Sequence, residues 1–333
     1  MTKSRRSPQS AICNLQSAMS FVYGPVPSRR LGLSLGINII PFKTCPLDCI
    51  YCQCGKTTKK TLERRPFFPI NDILAAVRST VRPSPHAPHP TPPDFLTFSG
   101  EGEPTLNQDI GRIIRRLKRE FSIPVAVITN STLLTDPQVR RDLYAADLVV
   151  PSLDAADQRN FARVDRNHRD LRVVDIIEGL KLFRRGYRGK IWLEIMLVKG
   201  INDSVDHIVA LRKAAWEMKP DRVQLNTVVR PPAEKSAKPM SRDDLEQIQL
   251  LFGPNTDVIG EAKDRGPRTR DKATVLPDDA IAATVQGRPV TKLDLVCSLG
   301  IAPREIEAAL TRLLRARNIK QVEFRGKTFY EPA

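Results

Sequence analysis

Between Leu31 and about Gly260, short apolar runs alternate with longer amphipathic stretches. The runs Leu33–Ile40, Phe95–Phe98, Val125–Thr129, Leu148–Ser152, Ile191–Val198 and Arg222–Thr227 predict strands, because they are brief and bounded by turn-forming residues. Apolar positions at three- and four-residue spacing predict helices over Ile70–Val81, Asn107–Glu120, Pro137–Tyr144, Leu171–Phe183 and Val205–Met218. Asp136-Pro137 and Asn202-Asp203-Ser204 read as helix starts, where a side-chain oxygen caps free amides and proline fits the first turn. Strands alternating with helices imply βαβ units and a parallel sheet. Six such units suit an open, partial (β/α)6 barrel better than a closed eight-stranded one. In such α/β folds the chemistry sits on loops after the strand C-termini, which makes the residues following each run the candidates.

The pattern breaks in three places. Arg82–Asp94 is dense in proline and predicts an extended, exposed connection; His86 and His89 within it read as loop decoration rather than metal ligands. Glu261–Lys272 is polar and aperiodic, a linker. The expected division is an extension over 1–18, a barrel domain over 19–260, a linker over 261–276 and a small domain over 277–333. That last part predicts a short helix, a helix over Thr291–Leu299, a turn at Gly300 and a helix from Pro303 to Arg317. Strands Lys320–Phe324 and Thr328–Tyr330 follow, joined by Arg325-Gly326-Lys327. Helix, turn, helix and a two-stranded wing give a winged-helix-like domain, whose second helix can enter a nucleic-acid groove. Arg304, Arg312, Arg315, Arg317, Arg325 and Lys327 are placed for phosphate contacts, and the same module equally serves protein docking.

Composition narrows the class. Hydrophobic residues make up 41% and charged residues 27%, an ordinary globular balance, and no apolar run reaches the ~18 residues of a membrane span. The first 18 residues contain no apolar signal core, so a loose extension and a cytoplasmic protein are expected, with Met19 an alternative start. The net charge of +16 attracts polyanions, unless it is only a solvated arginine surface. Of the six cysteines, Cys45, Cys49, Cys52 and Cys54 crowd together, too close for a disulfide framework; Cys13 and Cys297 stand apart as ordinary thiols. Metal binding in a reducing compartment is the better reading.

Cys45-Pro-Leu-Asp-Cys49-Ile-Tyr-Cys52 follows the first predicted strand. Four thiolates saturate a four-iron cube, so three on one loop leave one iron open. A zinc site closed by Cys54 is the alternative. The C-x3-C-x2-C motif and its context resemble the radical S-adenosylmethionine superfamily. The likeness is to the iron–sulfur oxidoreductases related to wybutosine synthesis, carried by Gly24-Pro-Val-Pro-Ser-Arg-Arg-Leu-Gly32, Ser34-Leu-Gly-Ile-Asn38 and Gly55 and extending from about Tyr23 to Glu234. The resemblance implies a radical-SAM-type barrel with a [4Fe–4S] cluster on Cys45, Cys49 and Cys52. The open iron would chelate S-adenosyl-L-methionine, and reductive cleavage would give a 5′-deoxyadenosyl radical. It also implies an electron donor such as flavodoxin or ferredoxin, and that Tyr51 packs on the adenine.

Ser99-Gly-Glu-Gly-Glu-Pro-Thr-Leu106 resembles the glycine–glycine–glutamate segment that holds the methionyl amine, with one extra residue. That role falls to Gly102 and Glu103, with Glu101 the competing choice. Asn130, in Thr129-Asn130-Ser131, and Ser152 and Asp154 lie at strand tips where superfamily members contact the ribose or carboxylate; helix capping is the plainer account. Asn226 or Arg230 would face cofactor or substrate. Glu194, inside a strand, is either functional or neutralised by an arginine. The polar segment Asp165-Arg166-Asn167-His168 reads as a capping loop or a phosphate contact.

The expected function is radical modification of RNA, such as a tRNA base, from the basic charge, the winged helix and the resemblance together. Wyosine-ring builders carry a second cluster, and the three remaining cysteines cannot supply four ligands for one. The rivals are a radical modifier of a protein or peptide, and a non-enzymatic metal-cluster regulator.

Overall fold

The computed structural model describes residues 21–81, 92–259, 278–299 and 301–333. The extension with Cys13 and Met19, the histidines His86 and His89, the linker over 261–276 and Gly300 lie outside them.

The chain enters through β1 (Val22–Ser28), which turns back antiparallel along β2 (Gly32–Ile37). Two short strands, β3 (Thr44–Cys45) and β4 (Lys59–Lys60), pair with each other and bracket the cysteines. The main sheet continues with β5 (Phe95–Phe98), β6 (Val125–Thr129), β7 (Leu148–Pro151), β8 (Lys190–Leu197), β9 (Arg222–Thr227) and β10 (Thr256–Val258). The strand order is β1-β2-β5-β6-β7-β8-β9-β10, parallel from β2 onward. Around it run α1 (Ile70–Val81), α2 (Ile110–Glu120), α3 (Pro137–Leu143), α4 (Gln158–Val164), α5 (Val173–Gly186), α6 (Val205–Met218) and α7 (Arg242–Phe252). Central strands of a parallel sheet are covered on both faces, which is why Val125–Thr129 and Leu148–Pro151 are near-continuous apolar runs.

Two side-chain contacts demonstrate that the sheet curls. Four strand spacings separate β2 from β8, about 19 Å in a flat sheet. Yet Arg30, in the β1–β2 turn, forms an ion pair with Glu194 on β8, and Arg29 donates to Asn226 Oδ1 on β9 at 2.9 Å. The sheet therefore wraps around a lumen. Among the described residues β1 and β10 do not pair, so the barrel stays open. Leu31, Ala126, Leu148 and Val150, with Phe95 and Trp192 against them, plug the end where the parallel strands begin. Above that floor the wall turns polar, with Ser34 bonded to Thr97 at 2.7 Å and Glu194, Gln224 and Asn226 facing the arginines.

The C-terminal part has its own core, built from Ile281, Val285, Leu295, Ile306, Leu310 and Leu313 among others. It comprises α8 (Asp278–Gly287), α9 (Lys292–Leu299), α10 (Pro303–Arg315) and a hairpin of β11 (Ile319–Phe324) and β12 (Lys327–Pro332). Here α8 and α9 lie against β1, leaving the polar face of α10 turned outward.

All six predicted strands and all five predicted barrel helices are present, five with the predicted ends and six with shifted ones. Leu33–Ile40 stops pairing at Ile37, and α2 starts at Ile110 because Pro104–Leu106 forms a separate 3₁₀ turn. The sequence pattern missed β1, α4, α7 and β10. Prolines at 25 and 27 disguise β1, and an edge strand tolerates them. Of α7's side chains only Leu245 and Phe252 are buried, too few to set a period.

Helix α5 packs on the 3₁₀ turn Thr132–Thr135 that follows β6, and Gly179 makes the approach possible. A Cβ there would lie 2.8 Å from both the carbonyl carbon and oxygen of Leu134. Backbone cannot yield as a side-chain tip can, so Gly179→Ala should cost roughly 1–3 kcal/mol. Chemical denaturation should show the midpoint falling with an unchanged slope.

Candidate active site

The cysteine loop leaves the lumen rim after β2 and is braced by backbone from distant parts of the chain. Asp48 N donates to Asp165 O at 2.9 Å, Ile50 N to Val164 O at 3.0 Å, and His168 N to Pro46 O at 2.9 Å. Glu234 N donates to Ile50 O at 2.9 Å, and Glu103 N to Thr44 O at 3.1 Å. The segment Asp165–His168 is thus a brace for this loop rather than only a helix cap. Sequence reasoning missed that role, since the partner of a backbone amide leaves no signal in side-chain pattern.

With the backbone held, the half-buried thiols of Cys45, Cys49 and Cys52 each have a polar side chain beside them. Asn130 Nδ2 lies 3.3 Å from Cys45 Sγ, Cys49 Sγ donates to Asp165 Oδ1 at 3.2 Å, and Lys43 Nζ donates to Cys52 Sγ at 3.1 Å. Burial pushes Cys45 up to about 12 and Cys49 well above the ordinary thiol value. Cys52 is drawn down to about 5 by its hydrogen bond with Cys54, burial opposing, with Lys43 adding to the effect. Lys43 is itself buried, which works against its charge, but Cys52 with help from Cys54 and Cys45 outweighs burial and raises its pKa. Lys43 is a site residue the sequence did not reveal; its left-handed backbone (φ 51°) turns it inward. Among the described residues no three His, Cys, Asp or Glu side chains converge closely enough to hold a single ion. Three thiols spread along one loop, each beside a polar group, suit ligands around a cube.

Gly102 lies flat against this loop. A Cβ on it would sit 2.4 Å from Thr44 O and 2.8 Å from Ile40 Cγ2, so no other residue fits. Glu103 is buried, with 2% exposure, and its carboxylate accepts from Thr105 N, Thr105 Oγ1, Thr129 Oγ1 and Asn130 N at 2.6–3.1 Å. Burial raises its pKa and these four bonds counter it. Glu103 thus fastens the β5 loop to the tip of β6 and aims Asn130 at Cys45. Glu101 turns instead to Asn38, whose Nδ2 donates to it at 3.3 Å.

Tyr51, Asn130, Ser152 and Asp154 line one cavity beside the cysteines, with Leu47, Phe161 and Ile176 supplying apolar walls. The Tyr51 hydroxyl donates to Asp154 Oδ2, whose other oxygen accepts from Met196 N at 2.8 Å, which fixes the aromatic ring. Ser131 Oγ donates to Ser152 O at 2.7 Å, tying the tips of β6 and β7. Burial raises Asp154 to about 6 and, together with the nearby Asp154 charge, raises Asp165 well above the usual carboxylate range. Asn226 is not in this cavity. It is buried in the lumen, donating to Glu194 Oε1 at 3.1 Å and accepting from Arg29. Glu194 is neutralised by Arg30, one of the two alternatives its position in a strand left open.

The chain is similar to several known proteins. The Radical SAM superfamily profile matches residues 39–211, just over half of the chain. The UPF0026 protein MJ1312 of Methanocaldococcus jannaschii is 39% identical over 245 residues, covering 74% of this chain and 74% of its own length. A Brachyspira hyodysenteriae protein named GTPase Obg is 33% identical over 88% of this chain, which spans only 42% of that relative. A probable dual-specificity RNA methyltransferase RlmN of Endomicrobium trichonymphae is 28% identical over 76% of this chain and 65% of its own length. In fold, a radical SAM methyltransferase from Sphaerobacter thermophilus superposes with a TM-score of 0.53 at 18% identity, covering 68% of this chain and 65% of the other. No described helix is long and apolar enough to cross a membrane. The chain belongs to the radical SAM superfamily, whose members bind a [4Fe–4S] cluster and S-adenosylmethionine.

Proposed function

We propose that this radical SAM enzyme cleaves S-adenosylmethionine reductively and modifies a base in RNA, with tRNA the first substrate class. The observation that carries the chemistry is the cysteine loop with Asn130, Lys43 and Asp165 each beside one thiol. When bound, the cluster and S-adenosylmethionine supply a 5′-deoxyadenosyl radical. Cys45, Cys49 and Cys52 would ligate the cluster. Gly102 would admit the methionyl end close to the loop, and Glu103 would act as a positioning residue through Asn130. Tyr51, Ser152 and Asp154 would stand on the nucleoside side of the cysteine loop. Asn226, tied into the lumen network, would face substrate rather than cofactor. Reduction calls for a donor of the flavodoxin or ferredoxin kind, in keeping with cytoplasmic chemistry.

Three observations support RNA. The net charge is +16. A relative bears the name of an RNA methyltransferase. The C-terminal three helices and hairpin, which we read as a winged helix, leave Arg304, Arg315, Arg317 and Arg325 exposed on α10 and the hairpin side, while Arg312 is paired with Asp278 at 2.7 Å. A polypeptide substrate docked on the same module is the rival reading.

Anaerobically reconstituted protein given dithionite and S-adenosylmethionine should form 5′-deoxyadenosine, and the Cys45→Ala, Cys49→Ala, Cys52→Ala triple variant should form none. A fully loaded wild type without product would sink the proposal. Asn130→Ala removes the thiol contact and the bonds that Thr132 makes to Oδ1. Loss of such a supporting contact typically costs 10–100-fold in metal affinity or activity, so iron content per chain or the cleavage rate should fall by about that range. Binding of total tRNA should weaken steeply with salt, by roughly 10³–10⁵ between 50 and 200 mM if six to ten phosphates are contacted. Salt-insensitive binding, or capture of polypeptide instead, would transfer the substrate claim to the rival.

A further inference from the structure

Four arginines meet in the lumen beside the cysteine loop, drawn from three separate parts of the chain. Arg29 and Arg30 come from the β1–β2 turn, Arg230 follows β9, and Arg288 follows α8 in the C-terminal part. Only Arg30 has a carboxylate in contact, Glu194. Arg29 spends a nitrogen on the neutral Asn226, and Arg230 reaches Gln53 Oε1, next to Cys52, at 3.4 Å. Arg288 donates to Pro27 O at 3.2 Å, and its Nε is buried with no hydrogen-bond partner. Burial lowers the pKa of Arg29 to about 10, with Arg288 and Asp294 acting in opposite directions on it, and that of Arg30 to about 9, with Arg29 contributing. Arg230 is lowered well below the usual value, by burial first and then by Arg288, Arg29 and Arg30. Among the described residues the carboxylates that act on these four guanidinium groups are Glu194 and Asp294, which leaves two positive charges in a half-desolvated chamber.

Such an arrangement works against folding, since like charges brought out of water repel and lose solvation. Scattered surface arginines do not converge in this way, and a lumen needing only to be filled would take apolar side chains like its floor. Guanidinium forks match phosphate oxygens in pairs, and the spare charge equals one phosphate monoester or two diester linkages.

We propose that Arg29, Arg30, Arg230 and Arg288 form a phosphate-binding site in the barrel lumen that seats a phosphate of the substrate next to the cysteine loop. This rests on the lumen being the substrate chamber of the radical enzyme. The C-terminal part thereby contributes a binding residue, Arg288, to the barrel's own site. Arg230 couples the bound phosphate to the loop through Gln53, one residue from a cluster ligand.

The test is equilibrium binding to the reconstituted full chain at low salt, by calorimetry, with inorganic phosphate, a nucleoside monophosphate, the matching nucleoside, and an oligoribonucleotide without terminal phosphate. Phosphate and the monophosphate should bind and the nucleoside should bind at least tenfold more weakly. Comparable binding of the oligonucleotide would identify diester linkages as the source, and its failure a terminal monoester. Arg230→Gln and Arg288→Gln should each weaken binding by roughly 10–100-fold, as expected for losing a charged hydrogen bond. Arg169→Gln and Arg242→Gln, on exposed arginines, should not. Arg288→Lys keeps the charge without the fork and serves if the glutamine variant misfolds by circular dichroism; it should weaken binding less. Equal losses from lumen and surface variants, or no difference between monophosphate and nucleoside, would overturn the site. Because these readings need no turnover, phosphate binding can fail while 5′-deoxyadenosine still forms, and the reverse, so the two proposals fall separately.

Discussion

A loop that presents three thiols to a metal cluster cannot use those sulfurs to hold its own shape. Here the shape is held by backbone hydrogen bonds with Val164, Asp165 and His168, with Glu234 and with Glu103, three separate stretches of chain. The sulfurs contribute only polar contacts, such as those of Cys45 with Asn130 and of Cys52 with Lys43 and Cys54. The rest of the barrel follows from this requirement: α4 must end where its last carbonyls meet Asp48 and Ile50, and the β5 loop must lie close enough for Gly102 to touch Thr44. Buried Glu103 joins these demands, because its one carboxylate ties the β5 loop, Thr129 and Asn130 together. A carboxylate buried to this degree persists only when fully hydrogen-bonded, and it is.

The lumen obeys a different balance. Near the strand starts it is packed with apolar side chains, as a barrel core should be. Towards the cysteine loop the packing gives way to arginines, amides and one glutamate. The Arg30–Glu194 pair and its neighbours Gln224 and Asn226 form the inner edge of that polar layer. The transition from dry floor to charged chamber occurs within one or two residues along β8, between Trp192 and Glu194.

Much of this was legible in sequence, for identifiable reasons. Strands such as Phe95–Phe98 and Val125–Thr129 declared themselves because burial on both faces forces an unbroken apolar run. The cysteines declared themselves because thiol spacing is chemistry written in order along the chain. Asn130, Ser152 and Asp154 were singled out by their positions after strands and Tyr51 by the family resemblance, and the four line one cavity. Asn226 obeyed the same positional rule yet faces the arginines, since a strand tip fixes the end of the barrel but not which neighbour a side chain meets. Lys43 and the Asp165 brace were illegible: one depends on a left-handed backbone turn, the other on amide partners over a hundred residues away. The convergence of Arg29, Arg230 and Arg288 likewise exists only once the sheet has curled and the C-terminal part has docked on β1.

That docking has a bearing on how the molecule is made. Residues 45–52 leave the ribosome long before residue 288, which at roughly 5–20 residues per second is a delay of at least ten seconds. During that interval the barrel can curl and its loops can settle, but the chamber lacks the wall that carries Arg288. This later-synthesised part is therefore a closing panel, and the nascent protein passes through an open-sided stage before Arg288 reaches the chamber.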